Sequence, residues 1–498
     1  MRSTIAVVLL LGGFLSVLGI RGSSEDEGAR LAKTYCQSCH LLPEPSALDR
    51  PTWVAKVFPM MRRYMGMDPV EQRDRLPHDL QSFYPQFPQM SEDEWFAIAQ
   101  WYIDQAPVAF PPPEPVQVRG TTEQFLSRVV TSDARMPLST LVRIDEKGRR
   151  LIVGDGIMNR LSVYTAAGDL LSHVPVGGPP SWLEIRGESW YVTDMGKLLP
   201  HDSAAGRLIH IQWQNGNPVT KVLFDSLRRP TNVVVADLNG NNVDDFLICE
   251  YGNLIGRFGW YEVDRNGKKK YHELAAQPGA IRAVVRDMNG DKKPDIVVQM
   301  AQAREGLVLY TNQGKGRFVA RELLTFPPSR GSSSFAFVDV DGDGTDEIVI
   351  TAGDNGDYDA PPLKPYHGVY VFAANGKGGF VQRSFQHLDG AYGAIVRDFD
   401  GDGRRDMISY SYFPRFDRGD IDLLRYDRSV FTPAQESYTV ANAGKGRWLV
   451  NDCADLNGDG KPDVVLGNVS IGPGVVPDEF ASEWMSRGVV ALLLLSKP

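Results

Sequence analysis

Two hydrophobic patterns divide the chain. In its first part, apolar positions follow a helical period, with Trp95, Ile98 and Tyr102 on one face. Ser91, followed three residues later by Glu94, predicts where this helix begins. The longer second part carries short apolar runs separated by glycine, asparagine and aspartate, which predicts strands joined by turns.

The helical pattern extends over residues 24–106. Ser24 with Glu27 predicts another helix start. The stretch T-W-V-A-K-V-F-P-M-M-R-R-Y-M-G-M predicts a helix kinked or restarted near Pro59, because proline has no amide hydrogen to donate. The proline-rich A-P-V-A-F-P-P-P-E-P-V cannot continue a helix. We therefore predict a small all-α domain over residues 24–106 and a stiff linker over residues 107–120.

Five acidic loops interrupt the strand pattern at nearly regular intervals. Each lies between two short apolar or small-residue runs, so each unit predicts a strand, an acidic turn and another strand. Their first residues are Asp237, Asp287, Asp339, Asp398 and Asp455. These starts are 50, 52, 59 and 57 residues apart, a period typical of propeller blades with four short strands.

Two weaker units precede the first acidic loop. R-I-D-E-K-G-R-R-L-I-V-G-D-G with L-S-V-Y-T is one, and S-W-L-E-I-R-G-E-S-W-Y-V-T-D with G-R-L-I-H-I-Q-W is the other. Together the units predict an all-β seven-bladed propeller over residues 121–498. We expect the ring to close by pairing the terminal G-V-V-A-L-L-L-L with a strand near F-L-S-R-V-V, since closure leaves no long exposed edge.

Each acidic loop carries oxygen-bearing side chains at its positions 1, 3, 5 and 9. Alternate residues of a tight turn converge on one point, where Ca²⁺ takes about six to eight oxygens. The candidate ligands are Asp237, Asn239, Asn241 and Asp245; Asp287, Asn289, Asp291 and Asp295; Asp339, Asp341, Asp343 and Glu347; Asp398, Asp400, Asp402 and Asp406; and Asp455, Asn457, Asp459 and Asp463. The alternative is a metal-free asparagine- and aspartate-rich turn. The first loop, with asparagine at two positions, is the weakest candidate.

These units are similar to FG-GAP or VCBS repeats, the calcium-loop blades of integrin-type propellers. The resemblance covers residues 230–470 well and residues 121–230 poorly. It implies that calcium is mainly structural, and it implies no chemistry for the propeller itself.

The stretch T-Y-C-Q-S-C-H-L-L carries the clearest chemistry. Cys36, Cys39 and His40 suit a redox dithiol, half of a zinc site, or a haem attachment site. A zinc site needs another ligand pair, but the remaining cysteines, Cys249 and Cys453, lie in strand-like runs as expected buried thiols. A thioredoxin-type dithiol needs a βαβ context, which the pattern lacks. Cys-x-x-Cys-His therefore predicts covalent haem.

With its flanking helices, Cys36-Gln37-Ser38-Cys39-His40 resembles a class I c-type cytochrome domain over residues 24–106. The resemblance implies thioether bonds from Cys36 and Cys39 to the haem and proximal ligation by His40. A distal methionine is usual in that family, and methionine ligation raises the reduction potential relative to a second nitrogen ligand.

The distal ligand has several candidates. Trp53-x-x-x-Val57-x-Pro59-x-Met61 looks like a W-x-x-x-V-L-P-x-M pattern of such domains fused to repeat proteins, which favours Met61. The alternatives are Met60, Met65, Met90 and, for a bis-histidine site, His78.

Composition and charge narrow the setting. The net charge of −9 and the pI near 5.5 argue against nucleic acid as a partner. Arg2 followed by I-A-V-V-L-L-L-G-G-F-L-S-V-L-G-I predicts an export signal over residues 1–22, or a short anchor that contacts the membrane if it stays uncleaved. Four cysteines are too few for a disulfide scaffold. We expect a periplasmic or cell-surface protein.

The longest departure from the repeat is T-A-G-D-N-G-D-Y-D-A-P-P-L-K-P-Y-H-G. Its polar and aromatic residues are Asp354, Asn355, Asp357, Tyr358, Asp359, Lys364, Tyr366 and His367. Loops above a rigid scaffold often bind ligands, so this insertion is a candidate binding site. The alternative is an ordered insertion whose polar groups satisfy one another.

These observations favour an extracytoplasmic c-type cytochrome that transfers single electrons to or from a redox partner protein. The calcium-stabilised propeller would then be a scaffold that binds a partner or ligand. One alternative is a haem-linked oxidoreductase, by analogy with fused quinohaemoprotein dehydrogenases. Another is an adhesion or glycan-binding propeller, which leaves the haem motif unexplained.

Overall fold

A computed structural model describes most of the chain. It covers residues 22–69, 75, 81, 83–133, 135–302, 304–358, 361–472, 474, 476–486 and 488–497. The expected export signal therefore lies almost wholly outside the described residues. Among the described residues, we find no helix with the length and apolar character needed to cross a membrane.

The first part of the described chain is helical. Its helices are α1 (Gly22–Cys36), α2 (Arg50–Thr52), a π-helical turn (Trp53–Val57), α3 (Phe58–Tyr64) and α4 (Glu92–Gln105), with a 3₁₀ turn at Pro45–Ala47. Helices α1 and α4 cross closely at Gly28, where a Cβ atom would lie 2.5 Å from the Ala97 carbonyl oxygen. A shared core of Leu31, Trp53 and Trp95 fills the space between the helices.

The helix starts test two sequence predictions. The Ser91–Glu94 capping box is confirmed, because each residue's side chain accepts from the other's backbone amide. The prediction at Ser24 is wrong, since the described part of α1 begins at Gly22 and Ser24 lies inside the helix. Glu27 pairs instead with Arg30 one turn later, at 2.7 Å.

The helix predicted around Pro59 continues through that residue. The Phe58 amide donates to the Trp53 carbonyl oxygen, so the chain makes a π-helical turn directly before the proline. This wider turn takes the place of the predicted kink, and α3 starts with Pro59 in its first turn, where no amide donor is needed.

The rest of the described chain forms a seven-bladed propeller, as the sequence predicts. Its first strand, β1 (Val118–Thr121), begins within the residues predicted as linker, and β2 (Phe125–Thr131) follows. Blades one to three are β3–β6 (Ser139–Asp145, Arg150–Asp155, Arg160–Thr165, Leu170–Pro175), β7–β10 (Pro180–Arg186, Ser189–Asp194, Gly206–Gln214, Asn217–Leu227) and β11–β14 (Pro230–Ala236, Asp245–Glu250, Arg257–Val263, Lys269–Ala275). Blades four and five are β15–β18 (Ala280–Arg286, Asp295–Met300, Glu305–Asn312, Phe318–Phe326) and β19–β22 (Ser332–Val338, Glu347–Ala352, Gly368–Ala374, Phe380–His387).

Blade six and the closing blade complete the ring. Blade six is β23–β26 (Ala391–Arg397, Asp406–Ser411, Leu424–Arg428, Glu436–Thr439), and blade seven is β27–β29 (Trp448–Ala454, Asp463–Asn468, Val489–Ser496) with β2 as its outer strand. Short helices α5 (Asp420–Leu423) and α6 (Asp478–Ser486) and 3₁₀ turns (Phe416–Arg418, Ala443–Lys445) lie between these strands. The predicted ring closure is confirmed, because β2 pairs antiparallel with β29, and β1 adds a parallel edge to β26.

Burial explains why the inner strands of the blades are continuous apolar runs in the sequence. The second strand of each blade from three to seven is buried at every position. Each of these sheets packs face to face between two neighbours, so both sides of its middle strands are covered. The outer strand β22 is exposed at half of its positions by contrast. Trp260, on the third strand of blade three, and Trp448, on the first strand of blade seven, are both fully buried.

The propeller has two unlike faces. The acidic loops, which join the first and second strands of blades three to seven, lie on the face that we call the acidic-loop face. The connections between second and third strands, and those from one blade to the next, lie on the opposite face, which we call the docked face. Its described residues include 251–256, 301–302, 304, 353–358, 361–367, 388–390, 412–423, 443–447, 469–472 and 476–486. The linker reaches the docked face, where Arg418 Nη2 donates to the Pro113 carbonyl oxygen at 2.7 Å.

Candidate functional sites

The cysteine–histidine motif lies at the end of α1. Cys36 is the last residue of the helix, and the chain turns before the exposed Cys39. Both thiols are free. Burial, and next the Cys39 thiol, raises the pKa of Cys36 to about 11. A redox dithiol works through a thiol with a lowered pKa, so this environment disfavours the dithiol interpretation.

The His40 ring is held by its neighbour in the chain. Its Nδ1 donates to the Leu41 carbonyl oxygen at 2.8 Å, and Nε2 takes no part in that hydrogen bond. The two clusters of convergent metal ligands in the described residues are carboxylates of the acidic loops. Two thiols and one imidazole fall short of the four ligands of a closed zinc site, and no other cluster in the described residues supplies the missing one.

The candidate distal methionines differ in burial. Met60 is 42% exposed, whereas Met90 is buried in the helical core at 6% exposure. Met61 and Met65 are half-buried and pack against the edge of that core. A distal ligand needs a sulfur at an apolar surface that is still open to the iron, which Met61 and Met65 match best. His78 lies outside the described residues.

The motif is held against the docked face of the propeller. Arg304 Nε donates to the Cys39 carbonyl oxygen at 3.3 Å. The Tyr366 hydroxyl donates to the Ala47 carbonyl oxygen at 2.6 Å. Both propeller residues lie in connections between second and third strands, in blades four and five. The helical region and the docked face therefore share one surface of contact.

Part of the insertion in blade five is satisfied within the protein. Lys364 Nζ donates to the Ser329 carbonyl oxygen at 3.2 Å and lies 5.0 Å from the Tyr358 ring centroid. Tyr366 donates to the same carbonyl at 3.2 Å. Burial lowers the pKa of Lys364 to about 8, although nearby Glu305 acts in the opposite direction. These residues match the interpretation of an ordered insertion.

Glu305 anchors the turn that leads into blade five. Its carboxylate accepts from the Gly331 amide at 3.3 Å, the Ser332 amide at 2.9 Å and the Ser332 hydroxyl at 2.8 Å. Burial raises the pKa of Glu305 to about 7, and the hydrogen bonds from Ser332 act against that shift. This carboxyl ties blade four to blade five.

Two other insertion residues line a cavity. Asn355 and His367 are 3% and 1% exposed and face a space of about 240 Å³. Asp389, Phe413 and Arg447, from blades six and seven, line it as well. The structure thus brings together only part of the predicted loop, since Asp357 is exposed and Asp359 lies outside the described residues.

The sequence did not identify Asp389, Phe413 and Arg447 as residues of this cavity. One signal was present, because the spacing of 57 residues after Asp398 exceeds the two shorter spacings and indicates an insertion in blade six. That insertion contains Phe413. No comparable signal marks Asp389 or Arg447, which lie in ordinary connections between blades.

The five acidic loops share one hydrogen-bond pattern. In the third loop, Asp339 accepts from the Gly342 and Gly344 amides, and Glu347 accepts from the Val340 amide. The equivalent acidic residues of the other loops accept in the same way. The loops therefore share one turn conformation, and three carboxylates converge within 4.8 Å in the third and fourth loops among the described residues.

The loops differ in which partners compete for those oxygens. In the fourth loop, Arg428 pairs with Asp400 at 2.5 Å and with Asp402 at 3.4 Å. In the second loop, Lys293 pairs with Asp291 at 2.7 Å.

In the third loop, Asp339, Asp341 and Asp343 have no salt-bridge partner among the described residues, and Asp339, Asp341 and Glu347 converge within 4.8 Å. Burial raises the pKa of Glu347, with repulsion from the neighbouring aspartates adding to the effect. The third loop is therefore the best-formed candidate for a cation.

Comparison with known families supports the repeat assignment. The FG-GAP-like repeat family matches residues 287–350 and 398–466. These segments contain four of the five acidic loops with their flanking strands. The propeller of this chain thus contains FG-GAP-like repeats, and the sequence resemblance is confirmed for that part.

Other comparisons are more distant. No curated protein matches the chain significantly. Among solved structures, a streptogramin B lyase is similar at 10% identity and a TM-score of 0.46, covering 75% of this chain and 98% of that chain. Saccharomyces cerevisiae Sqt1 is similar at 9% identity and a TM-score of 0.41, covering 75% of this chain and 98% of that chain. These similarities indicate no activity for this chain.

Proposed function

We propose that this protein is an exported c-type cytochrome for one-electron transfer, carried on an FG-GAP-like propeller. The observation that carries the proposal is the Cys36-Gln37-Ser38-Cys39-His40 motif at the end of α1. Cys36 and Cys39 would hold the haem by thioether bonds and His40 would be its proximal ligand. A haem bound there supplies single-electron transfer.

The surroundings of the motif support this role. The Leu41 carbonyl orients the His40 ring so that Nε2 can reach a metal. Cys39 is exposed at the turn and Cys36 is half-buried, so both sulfurs lie at the surface of the small helical core. Met61, at the edge of the same core, is the proposed distal ligand.

We propose that calcium rigidifies the acidic-loop face. Carboxylates that converge without a cation repel one another, and a bound cation relieves that repulsion. The third loop carries this proposal most strongly, because no described cationic side chain occupies its carboxylates. The propeller would then serve as a stable scaffold for the redox partner protein or a ligand.

A haem-linked oxidoreductase is the second candidate. One observation favours it: the helical region and the cavity beside His367 lie on the same docked face. Tyr366, the neighbour of His367, donates to the helical region through Ala47. A substrate bound in the cavity would therefore lie on the side of the propeller that carries the cysteine–histidine motif.

One spectroscopic experiment distinguishes the electron carrier from the haem-linked oxidoreductase. A redox titration followed by absorption should show a c-type haem in the wild-type protein and none in the Cys36→Ser/Cys39→Ser double variant. Sugars, alcohols and amines are then added to the oxidised wild type without oxygen. Reduction of the haem by one of them favours the oxidoreductase. Rapid exchange with a small cytochrome, without such reduction, favours the carrier.

A further inference from the structure

The cavity on the docked face collects buried polar atoms that lack partners. Both carboxylate oxygens of Asp389, Asn355 Oδ1 and His367 Nε2 have no hydrogen-bond partner in the described part of the chain. The three side chains are 2%, 3% and 1% exposed. Unsatisfied buried polar groups are costly, so a concentration of them around one space points to a molecule that satisfies them.

The orientation of these groups specifies what the molecule must offer. Asn355 Nδ2 already donates to the Pro362 carbonyl oxygen at 3.0 Å, so its free oxygen is an acceptor. Asp389 adds acceptor oxygens, although His387 Nε2 lies 3.3 Å from one of them and competes for it. The occupant must therefore carry hydrogen-bond donors.

The remaining walls of the cavity are apolar. Pro361, Leu363, Phe413 and Phe416 line it together with the polar groups. Phe416 is held by ring contacts, with its centroid 6.0 Å from that of Trp484. Water alone gains no hydrogen bonds from such a wall, whereas a molecule with a C–H face covers it.

The charges of the cavity balance each other. The Arg447 guanidinium lines the same space as the Asp389 carboxylate. Arg447 is fixed there, because its Nε donates to the Tyr412 carbonyl oxygen at 2.7 Å and its Cζ lies 3.8 Å from the Tyr412 ring centroid. A charged ligand would be attracted by one of these two groups and repelled by the other, so it gains little to offset the loss of its hydration, and a neutral ligand is favoured.

His367 fits the same ligand. Burial, and next the Lys364 charge, holds the pKa of His367 well below its usual value, so the ring is neutral at physiological pH. A neutral imidazole can donate from one nitrogen and accept at the other. This suits a hydroxyl group, which also donates and accepts.

We infer that this cavity binds a neutral polyhydroxylated molecule of single-ring size, such as a monosaccharide or a cyclic polyol. The space of about 240 Å³ is below the roughly 300–1,000 Å³ typical of drug-sized ligands. Hydroxyl groups donate to Asp389 and Asn355 and accept from Arg447, and the C–H face of the ring packs on Phe413. The inference does not depend on haem.

Titration calorimetry on the full chain tests this site. The neutral probes are D-glucose, D-galactose, D-mannose and myo-inositol, and the charged counterparts are D-glucosamine and D-glucuronate. We expect at least one neutral probe to bind with a millimolar or lower Kd, and at least tenfold more tightly than both charged probes. No binding by any neutral probe, or tighter binding of a charged one, would overturn the inference.

Variants locate the binding. Asp389→Asn keeps the shape but replaces an acceptor with a donor, and should weaken binding at least tenfold. Leu363→Trp fills the cavity from its partly exposed wall and should abolish binding without removing a buried polar group, which keeps the test valid if Asp389→Asn does not fold.

Glu305→Gln is the matched control, because Glu305 is a buried carboxyl of the same face that does not line the cavity. Equal loss of binding in this control and in Asp389→Asn would contradict the site. The Cys36→Ser/Cys39→Ser variant should bind normally, which separates failure of this inference from failure of the haem proposal.

Discussion

At the scale of single residues, Glu305 gives the docked face a pH-dependent stability. Burial raises its pKa from the usual value of 4.5 to about 7, so the folded protein holds this proton more tightly than the unfolded chain does. The stability that this group contributes is fully present below about pH 4.5 and is lost as the pH rises through about 7.

We expect Glu305→Gln to reduce this pH dependence. From about pH 5 to about pH 8 the wild type should lose on the order of 2 kcal/mol more unfolding free energy than the variant, measured by urea unfolding. A smaller slope of the same sign should remain, because burial also raises the pKa of Asp422, to about 6. Ser332→Ala keeps the carboxyl and removes a hydrogen bond that lowers its pKa, so the slope should persist or steepen. Equal slopes in wild type and Glu305→Gln would contradict the account.

The distal ligand is a second question at residue scale. Met61→Ala should remove the methionine-to-iron charge-transfer absorption and lower the reduction potential, because a weaker or nitrogen ligand replaces the sulfur. Met90→Ala should destabilise the helical core by about 2–5 kcal/mol and leave that absorption in place. Loss of the absorption in Met65→Ala or Met90→Ala, with Met61→Ala unchanged, would show that Met61 is not the ligand.

Single residues were predictable where their chemistry is local. Cys36, Cys39 and His40 lie within five residues, and the structure places them together at the end of α1, while haem attachment stays a prediction. Asp389 and Arg447 could not be predicted as site residues. They share a cavity with Asn355 only because the folded ring brings their blades together. Sequence spacing carries no information about such contacts between blades.

At the scale of elements, the acidic loops are equivalent in backbone but not in charge. Their shared amide hydrogen bonds follow from aspartate or asparagine at alternate positions of a tight turn, which the sequence predicts directly. The pairing of Arg428 with Asp400 in the fourth loop was not predictable, since Arg428 comes from the third strand of the blade. Cation affinity should therefore differ among loops with nearly the same sequence.

The third loop provides the test. Calcium at about 100 times its Kd should stabilise the protein by about 2.7 kcal/mol for each site. Asp341→Asn should lower this calcium-dependent gain in Tm. Asp346→Asn is the control in the same loop, because Asp346 pairs with Arg286 at 2.8 Å and is not at a ligand position. If calcium raises the Tm of Asp341→Asn as much as that of the wild type, or does not raise the Tm of the wild type, the result would argue for metal-free turns.

Element boundaries were less predictable than element types. Ser24 and Ser91 carry the same capping pattern, but only Ser91 begins a helix. The pattern reports a local preference, and the described part of α1 already includes Gly22, before Ser24. Likewise, Pro59 predicts a disturbance in the helix, but not that a π-helical turn at Trp53–Val57 accommodates it.

At the scale of the whole molecule, one strand closes the ring. β2 pairs with β29 along its whole length and contributes Phe125 and Val130, which are 5% and 1% exposed, to two core clusters. This closure was predictable, because the terminal apolar run of blade seven needs an outer partner. The docking of the helical region against the propeller could not be predicted from the sequence, since it depends on single hydrogen bonds from Arg304 and Tyr366.

Truncation tests the closure. A chain that begins at residue 117 keeps β1 and β2 and should unfold cooperatively as a monomer. A chain that begins at residue 132 exposes β29 and loses about 1.5–3 kcal/mol of burial for each of Phe125 and Val130, so it should aggregate or unfold at a lower temperature. Size-exclusion chromatography and calorimetry measure both. Equal Tm values for the two chains would show that β2 does not stabilise the ring.

The intact mass of the protein tests the central claim most directly. The full chain is produced in cells with an active c-type cytochrome maturation system and purified from the exported fraction. The account predicts the polypeptide mass plus one haem that survives denaturation, and no such addition in the Cys36→Ser/Cys39→Ser variant. The polypeptide mass alone, from cells that mature a control cytochrome, would contradict the assignment of Cys36 to His40 as a haem site.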